Sequence, residues 1–287
     1  LQTSGTGAGL LDIWGSGSGD VYAVGYIGRI DHTVNGGQTW TPQTSGSIYS
    51  LDGIWGSGSG DVYAVGSSGK IVHTVNGGQT WTPQTSSGTE HFIGIWGSGS
   101  GDVYAVGSGG TIVHTVNGGQ TWAPQTSATN NFLHGIWGSG SGDVYAVGLN
   151  GTIVHTVNGG QTWTPQSSGT TAGLEDIWGS GSGDVYAVGQ NGTIVHTVNG
   201  GQTWTPQSSG TTAYLNGIWG SGSGDVYAVG RDGTILHTVN GGQTWTPQSS
   251  GTTADLHDIW GSGSQDVYAV GHSDVGLGTL GVILHKQ

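Results

Sequence analysis

Residues 51–84 read Leu51-Asp-Gly-Ile-Trp55-Gly-Ser-Gly-Ser-Gly60-Asp-Val-Tyr-Ala-Val65-Gly-Ser-Ser-Gly-Lys70-Ile-Val-His-Thr-Val75-Asn-Gly-Gly-Gln-Thr80-Trp-Thr-Pro-Gln84, and nearly the same string returns along the whole chain. Four short runs stand out in it: Leu51 to Trp55, Asp61 to Val65, Ile71 to Val75 and Thr80 to Gln84. Each is rich in Val, Ile, Tyr, Thr or Trp and is closed by Gly, Ser or Asn, which is the pattern of a short β-strand. Asn76-Gly77 favours the positive φ angles of a tight hairpin, and Gly78 can take an adjoining bulge. Pro83 has no N–H to donate, so the fourth run is expected at an outer edge. The Leu-x-x-Ile-Trp run is then innermost. No segment carries a 3.6-residue apolar period, so essentially no α-helix is expected.

The spacing sets the architecture. The Trp of the Ile-Trp-Gly triplet falls at Trp14, Trp55, Trp96, Trp137, Trp178, Trp219 and Trp260, always 41 residues apart. Trp40, Trp81, Trp122, Trp163, Trp204 and Trp245 keep the same step. Four strands in such a period form one propeller blade. A stacked solenoid would need polar capping units, whereas the first and last copies here look like the middle ones. The expectation is an all-β, seven-bladed β-propeller in which residues 1–287 form a single domain.

The last copy departs from the rule. His285 follows His237 by 48 residues, so seven extra residues lie within His272–Leu280. No seventh Asn-Gly-Gly-Gln-Thr-Trp follows, and Leu1-Gln2-Thr3 match Pro42-Gln43-Thr44. An incomplete, three-stranded seventh blade is expected, with closure resting mainly on packing between blades 1 and 7.

Composition narrows the function. Glycine accounts for 62 of 287 residues, and Lys plus Arg number 4 against 17 Asp plus Glu, a formal net charge of −13. Binding nucleic acid or an anionic membrane surface needs clustered cations, so both partners are disfavoured. Without cysteine there are no disulfides or thiolate chemistry. No apolar run reaches the ~20 residues of a membrane-spanning helix. The opening Leu-Gln-Thr-Ser lacks a signal peptide and reads as a trimmed or excised domain.

The segment Thr33-Val-Asn35-Gly-Gly-Gln-Thr39-Trp40 resembles the Asp-box, or BNR, repeat, with Asn where that family usually has Asp. The full repeat is also similar to tandem propellers of secreted bacterial proteins and to propellers of the photosystem II assembly-factor type. That resemblance implies a propeller fold with structural hairpins between third and fourth strands, and a secreted or cell-surface location. Sialidases, the best-known Asp-box enzymes, place three arginines on the substrate carboxylate. Arg29 and Arg231 are the arginines of this chain, so that activity is excluded.

Other motifs read as structural. One histidine recurs per copy (His32, His73, His114, His155, His196, His237, His285), but ligands ~10 Å apart on packed sheets cannot share a metal. Asp20, Asp61, Asp102, Asp143, Asp184, Asp225 and Asp266 follow a Gly/Ser loop, where a carboxylate can accept backbone N–H bonds and fix it. Gly15-Ser-Gly-Ser-Gly19 precedes a strand instead of opening a helix, so it is not a phosphate loop. A paired-carboxylate hydrolase using Asp52, Glu175, Asp176 or Asp258 at a channel mouth is the conceivable enzyme. Solvated loop carboxylates are the simpler account. No catalytic residue, metal or cofactor is expected.

The copies differ in two places. One precedes the first strand, where His91, Phe132, Tyr214 and Asp255 share a repeat position and Tyr49 stands one residue before it; two residues on from that position stand Leu11, Asp52, Ile93, His134, Glu175, Asn216 and His257. The other is the turn between second and third strands: Tyr26, Ser67, Ser108, Leu149, Gln190 and Arg231. An up-and-down strand order puts both on one face of the disc, opposite the constant loops. Loops on a rigid scaffold are where binding resides. The expectation is a non-catalytic, monomeric binding module for carbohydrate or protein, using Tyr26, Tyr49, His91, Phe132, His134, Tyr214, Arg231 and His257. A ligand-free repeat scaffold, natural or engineered, is the alternative, and a glycoside hydrolase the third reading.

Overall fold

The computed structural model describes residues 2–3, 8–86, 88–275 and 278–286. Each repeat becomes one antiparallel sheet, seven in all, with strands bonded in chain order in the first six. In blade 2 they are Leu51–Gly58, Asp61–Gly66, Lys70–Thr74 and Thr82–Gln84. The Pro83 strand is outermost, as its missing donor requires. Among the described residues there is no α-helix; three-residue 3-10 turns such as Ser67–Gly69 join second to third strands.

The second strand explains the unbroken apolar run in the repeat. Val62, Tyr63, Ala64 and Val65 are all fully buried because a neighbouring blade covers each face of the sheet. Blades meet through aromatic rings on bare backbone. A Cβ on Gly56 would lie 2.6 Å from the Trp14 ring of the preceding blade, so that position accepts glycine alone. Tyr22 stacks on His32 at 3.7 Å, and His32 Nε2 bonds Asp20 Oδ1 at 2.6 Å. The Gln43 amide donates to His32 Nδ1 (3.0 Å), while Gln43 Oε1 accepts the indole N–H of Trp81 from blade 2 (2.9 Å).

This chain of bonds bears out the structural reading of the repeated histidines. It corrects the expected role of the repeated aspartates: Asp20 Oδ2 accepts from the Ser16 hydroxyl (2.6 Å), so the loop is held through a side chain. The hairpin is a knot of its own. Thr33 Oγ1 accepts from the N–H groups of Asn35 and Gly37, and Asn35 Oδ1 accepts from the Thr39 N–H. The positive φ angles fall on Gly36 (66°) and Gly37 (78°) rather than on the asparagine.

The seventh repeat supplies three strands, Asp255–Gly263, Asp266–Val275 and Gly278–Lys286, as its incompleteness foretold. One detail differs from the expected three-stranded sheet. Gln2–Thr3 form a short fourth strand, with Gln2 opposite Ile283 and Thr3 opposite Val282. That is the register of Gln43 on Ile30 in blade 1, so the N-terminal stub reproduces the missing strand's pairing. Leu1, also matched to this strand, lies outside the described residues, as do 276 and 277 of the insertion.

Candidate functional site

The first strands surround an axial cavity of about 460 Å³. Its lining follows from a backbone irregularity shared by all seven blades. Leu51 pairs with Gly66 and Gly53 with Val65, which leaves Asp52 as the extra residue of a β-bulge. The same shift singles out Leu11, Ile93, His134, Glu175, Asn216 and His257. A bulge re-aims a side chain, and all seven of these residues line the cavity. One of the variable positions of the repeat is therefore the one the fold turns toward its axis.

One residue further along, four blades carry glycine and three carry Asp12, Asp176 and Asp258. The aspartates stitch blades together. Asp12 accepts from the Ile54 N–H (2.6 Å), Asp176 from Ile218 (2.9 Å) and Asp258 from Ile13 (3.2 Å), each in the next blade round the ring. Burial pushes all three carboxyls upward, Asp176 to about 7. Asp258 rises further through the Asp12 carboxylate across the closing seam. Asp12 escaped the sequence reading; its signal was the Asp-for-Gly exchange just before Ile-Trp.

Glu175 behaves differently. Burial favours its neutral form, yet the His134 ring, its Nδ1 2.7 Å from the carboxylate, and a bond from Gln190 (3.2 Å) hold it below the usual carboxylate range. His257 is lowered to about 4 by burial and by His272, whose Nδ1 lies 2.9 Å from its Nε2. His272 holds the turn position of Tyr26 and Arg231, at the head of the stretch that contains the insertion, and the sequence reading did not connect it with the channel. His91, bonded to Asp52 at 3.0 Å, is raised by that carboxylate.

The expected site residues share a face but not one pocket. His134 and His257 line the cavity. Tyr26 meets His272 edge-on at 5.8 Å, beside the channel histidine pair. Tyr49, Phe132 and Arg231 are exposed on the surrounding rim, where Arg231 lies over the Tyr214 ring at 4.3 Å and Lys70 over Tyr49 at 5.5 Å. Tyr26, Ile27, Ile48 and Tyr49 also border a second hollow of about 490 Å³. Contact between the two variable loops is direct, since the Ser67 N–H donates to Ser50 O and that of Arg231 to Tyr214 O. Among the described residues no group of three or more His, Asp or Glu is placed to hold a metal.

No family profile and no curated protein sequence matches the chain. Among solved structures it is similar to YCF48 bound to a D1 peptide, with TM-score 0.81 and 21% identity over 100% of this chain and 93% of that one. YCF48 from Cyanidioschyzon merolae gives 0.78 and 20%, covering 99% and 96%. The GH74 xyloglucanase of Xanthomonas campestris gives 0.74 and 11%, covering 92% of this chain and 52% of the enzyme. The expected likeness to photosystem II assembly-factor propellers thus holds, and at these identities it is a likeness of fold.

Proposed function

We propose that the protein is a non-catalytic binding module that captures a protein segment on the face bearing the bulge ring and the variable rim. One observation carries this reading: seven side chains of six kinds at a single repeat position converge on one cavity, while the hairpins opposite stay constant. Around the cavity, exposed Tyr49, Phe132, Ile27 and Ile48 offer apolar contact, and Arg231 and Lys70 stand beside tyrosines. Aromatic and Arg anchors are what protein interfaces rely on. The similar YCF48 structure holding a D1 peptide favours a peptide over a sugar as the ligand class. The carboxylates fit structural duties, because Asp12, Asp176 and Asp258 accept backbone N–H bonds and Glu175 is tied to His134 and Gln190.

Panning a displayed peptide library against the purified protein tests the proposal, with a glycan array as the parallel arm. Peptides should be enriched, and Tyr49→Ala combined with Tyr214→Ala should weaken them about tenfold or more. Thr39→Ala, on the constant face, should leave them unchanged. Enrichment confined to the glycan array would replace the ligand class. An absence of ligands in both arms would leave the scaffold reading, and turnover of a glycan abolished by Glu175→Gln would establish the hydrolase.

A further inference from the structure

The position just before Ile-Trp decides how neighbouring blades touch at the axis. Gly53, Gly94, Gly135 and Gly217 hold it in four blades, and Asp12, Asp176 and Asp258 in the other three. An aspartate there needs a bare neighbour. A Cβ on Gly135 would lie 3.1 Å from Asp176 Oδ1, and one on Gly217 2.9 Å from Asp258 Oδ1, each in the next blade round the ring. Two of the three aspartates thus follow a glycine. Asp12 follows Asp258 instead, so the contact of blade 7 with blade 1 is the one that brings two carboxyls together.

The two groups share one backbone donor. The Ile13 N–H lies 2.7 Å from Asp12 Oδ1 and 3.2 Å from Asp258 Oδ2, and the carboxyls bond to each other. A bond between two carboxyls requires a proton on one of them. Among the described residues no lysine or arginine lines the axial cavity to take that proton's place. The other ionisable groups facing the pair there are Asp52, His134, Glu175, Asp176 and His257. Each is engaged elsewhere: Asp52 with His91, His134 with Glu175, Asp176 with Ile218 and His257 with His272. Asp52 acts on Asp12, and Asp176 on Asp258, as a further negative charge. Asp12 is the more firmly held of the pair, since its Oδ2 also accepts from the Ile54 N–H at 2.6 Å.

We infer that Asp12 and Asp258 form a proton-operated latch between blades 7 and 1: one shared proton holds the two carboxyls together, and its loss frees Asp258 from the Ile13 N–H into the axial cavity. Two bare carboxylates at hydrogen-bonding distance repel. The one held by the longer bond gives way, and the cavity beside it has room for the side chain. Burial and the Asp12 carboxylate both raise the titration of Asp258. A raised folded value contributes stability that is complete below the ordinary carboxylate range and is lost as pH climbs through the raised value. The released carboxylate also adds a second negative charge to the cavity wall. The latch does not depend on what the variable face binds.

The test follows the aspartate carboxyl signals of the full chain by NMR from about pH 3 to pH 9, and its first arm needs no variant. Both residues should move together in two steps, one of them above the ordinary carboxylate range, as a shared proton demands. In Asp258→Gly, which gives blade 7 the residue that four other blades carry, Asp12 should show a single step. Thermal unfolding supplies the second readout: the parent's Tm should fall against that of Asp258→Gly by at least roughly 2 °C across the upper step. Separate single steps for Asp12 and Asp258 in the parent, or two steps for Asp12 surviving in Asp258→Gly, overturn the inference. So does a Tm difference between parent and variant that stays constant with pH.

Discussion

At the scale of single residues, two positions carry measurable strain or charge. Ile27 adopts a φ of 59° in the 3-10 turn of blade 1, where the other blades place Ser68, Gly109, Asn150, Asn191 and Asp232. A β-branched residue is penalised there by roughly 1–2 kcal/mol, and Ile27 is 73% exposed, so it recovers little by burial. Ile27→Asn should therefore stabilise the protein by about 1 kcal/mol in urea unfolding, while reducing apolar contact on the proposed binding rim. Asp176 is the second case. Its carboxyl titrates at about 7 when folded against 3.8 when exposed, through burial opposed by the Ile218 and Ile177 N–H groups, with Asp12 and Glu175 as charged neighbours. A raised folded value contributes stability that is complete below about pH 4 and lost as pH climbs through 7. Asp176→Asn keeps an oxygen for the Ile218 N–H and removes the titration. Scanning calorimetry should find the variant level with the parent at pH 4 and at least roughly 2 °C higher in Tm at pH 8. Comparison between variants matters, because His257, lowered to about 4, pushes the parent's own profile the other way.

At the scale of elements, the hairpin and its tryptophan join one blade to the last. Trp163 is 5% exposed and bonded to Gln125, so Trp163→Ala removes an indole from a closed seam. A loss of about 3–5 kcal/mol is expected in denaturant unfolding. Gly160→Ala attacks the same joint from the backbone: its φ is 77°, and a Cβ would lie 2.1 Å from Gln125 Oε1. It should cost at least about 1 kcal/mol, and a neutral result for either variant would mean that the seam does not govern unfolding.

At the scale of the molecule, the closing seam joins blade 7 to blade 1. Asp12 and Asp258 face each other there, Trp40 packs edge-on to Tyr268 at 6.5 Å, and Gln2–Thr3 complete the seventh sheet. Removing residues 1–3 deletes two paired positions and leaves the Val282–Ile283 stretch as an open edge. Hydrogen exchange at the Val282 and Ile283 amides should accelerate well beyond that at Val62 and Val65, while the ring stays closed because first-strand packing persists. Global acceleration in all seven blades would instead make the stub the essential latch.

The 41-residue step of the tryptophans, the turn residues and Pro83 made the blade count, the strand order and the outer edge legible, because period and backbone chemistry are local properties of the chain. The poverty of cations and the absence of cysteine likewise shaped the expectations about partners and thiol chemistry without any coordinates. The two variable loops could be assigned to one face by strand parity alone. What parity could not supply was the bulge at Leu11, Asp52, Ile93, His134, Glu175, Asn216 and His257, which depends on how seven inner strands crowd one axis. The partners of Asp12 and of His272 were hidden for the same reason: their bonds cross between segments 40 or more residues apart or reach the turn at the head of the insertion, so packing alone brings them together. The pairing of Gln2–Thr3 with Val282 and Ile283 is an intermediate case: the match to Gln43–Thr44 was legible, but whether so short a stretch pairs as a strand was decided only where the ring presents an edge to receive it.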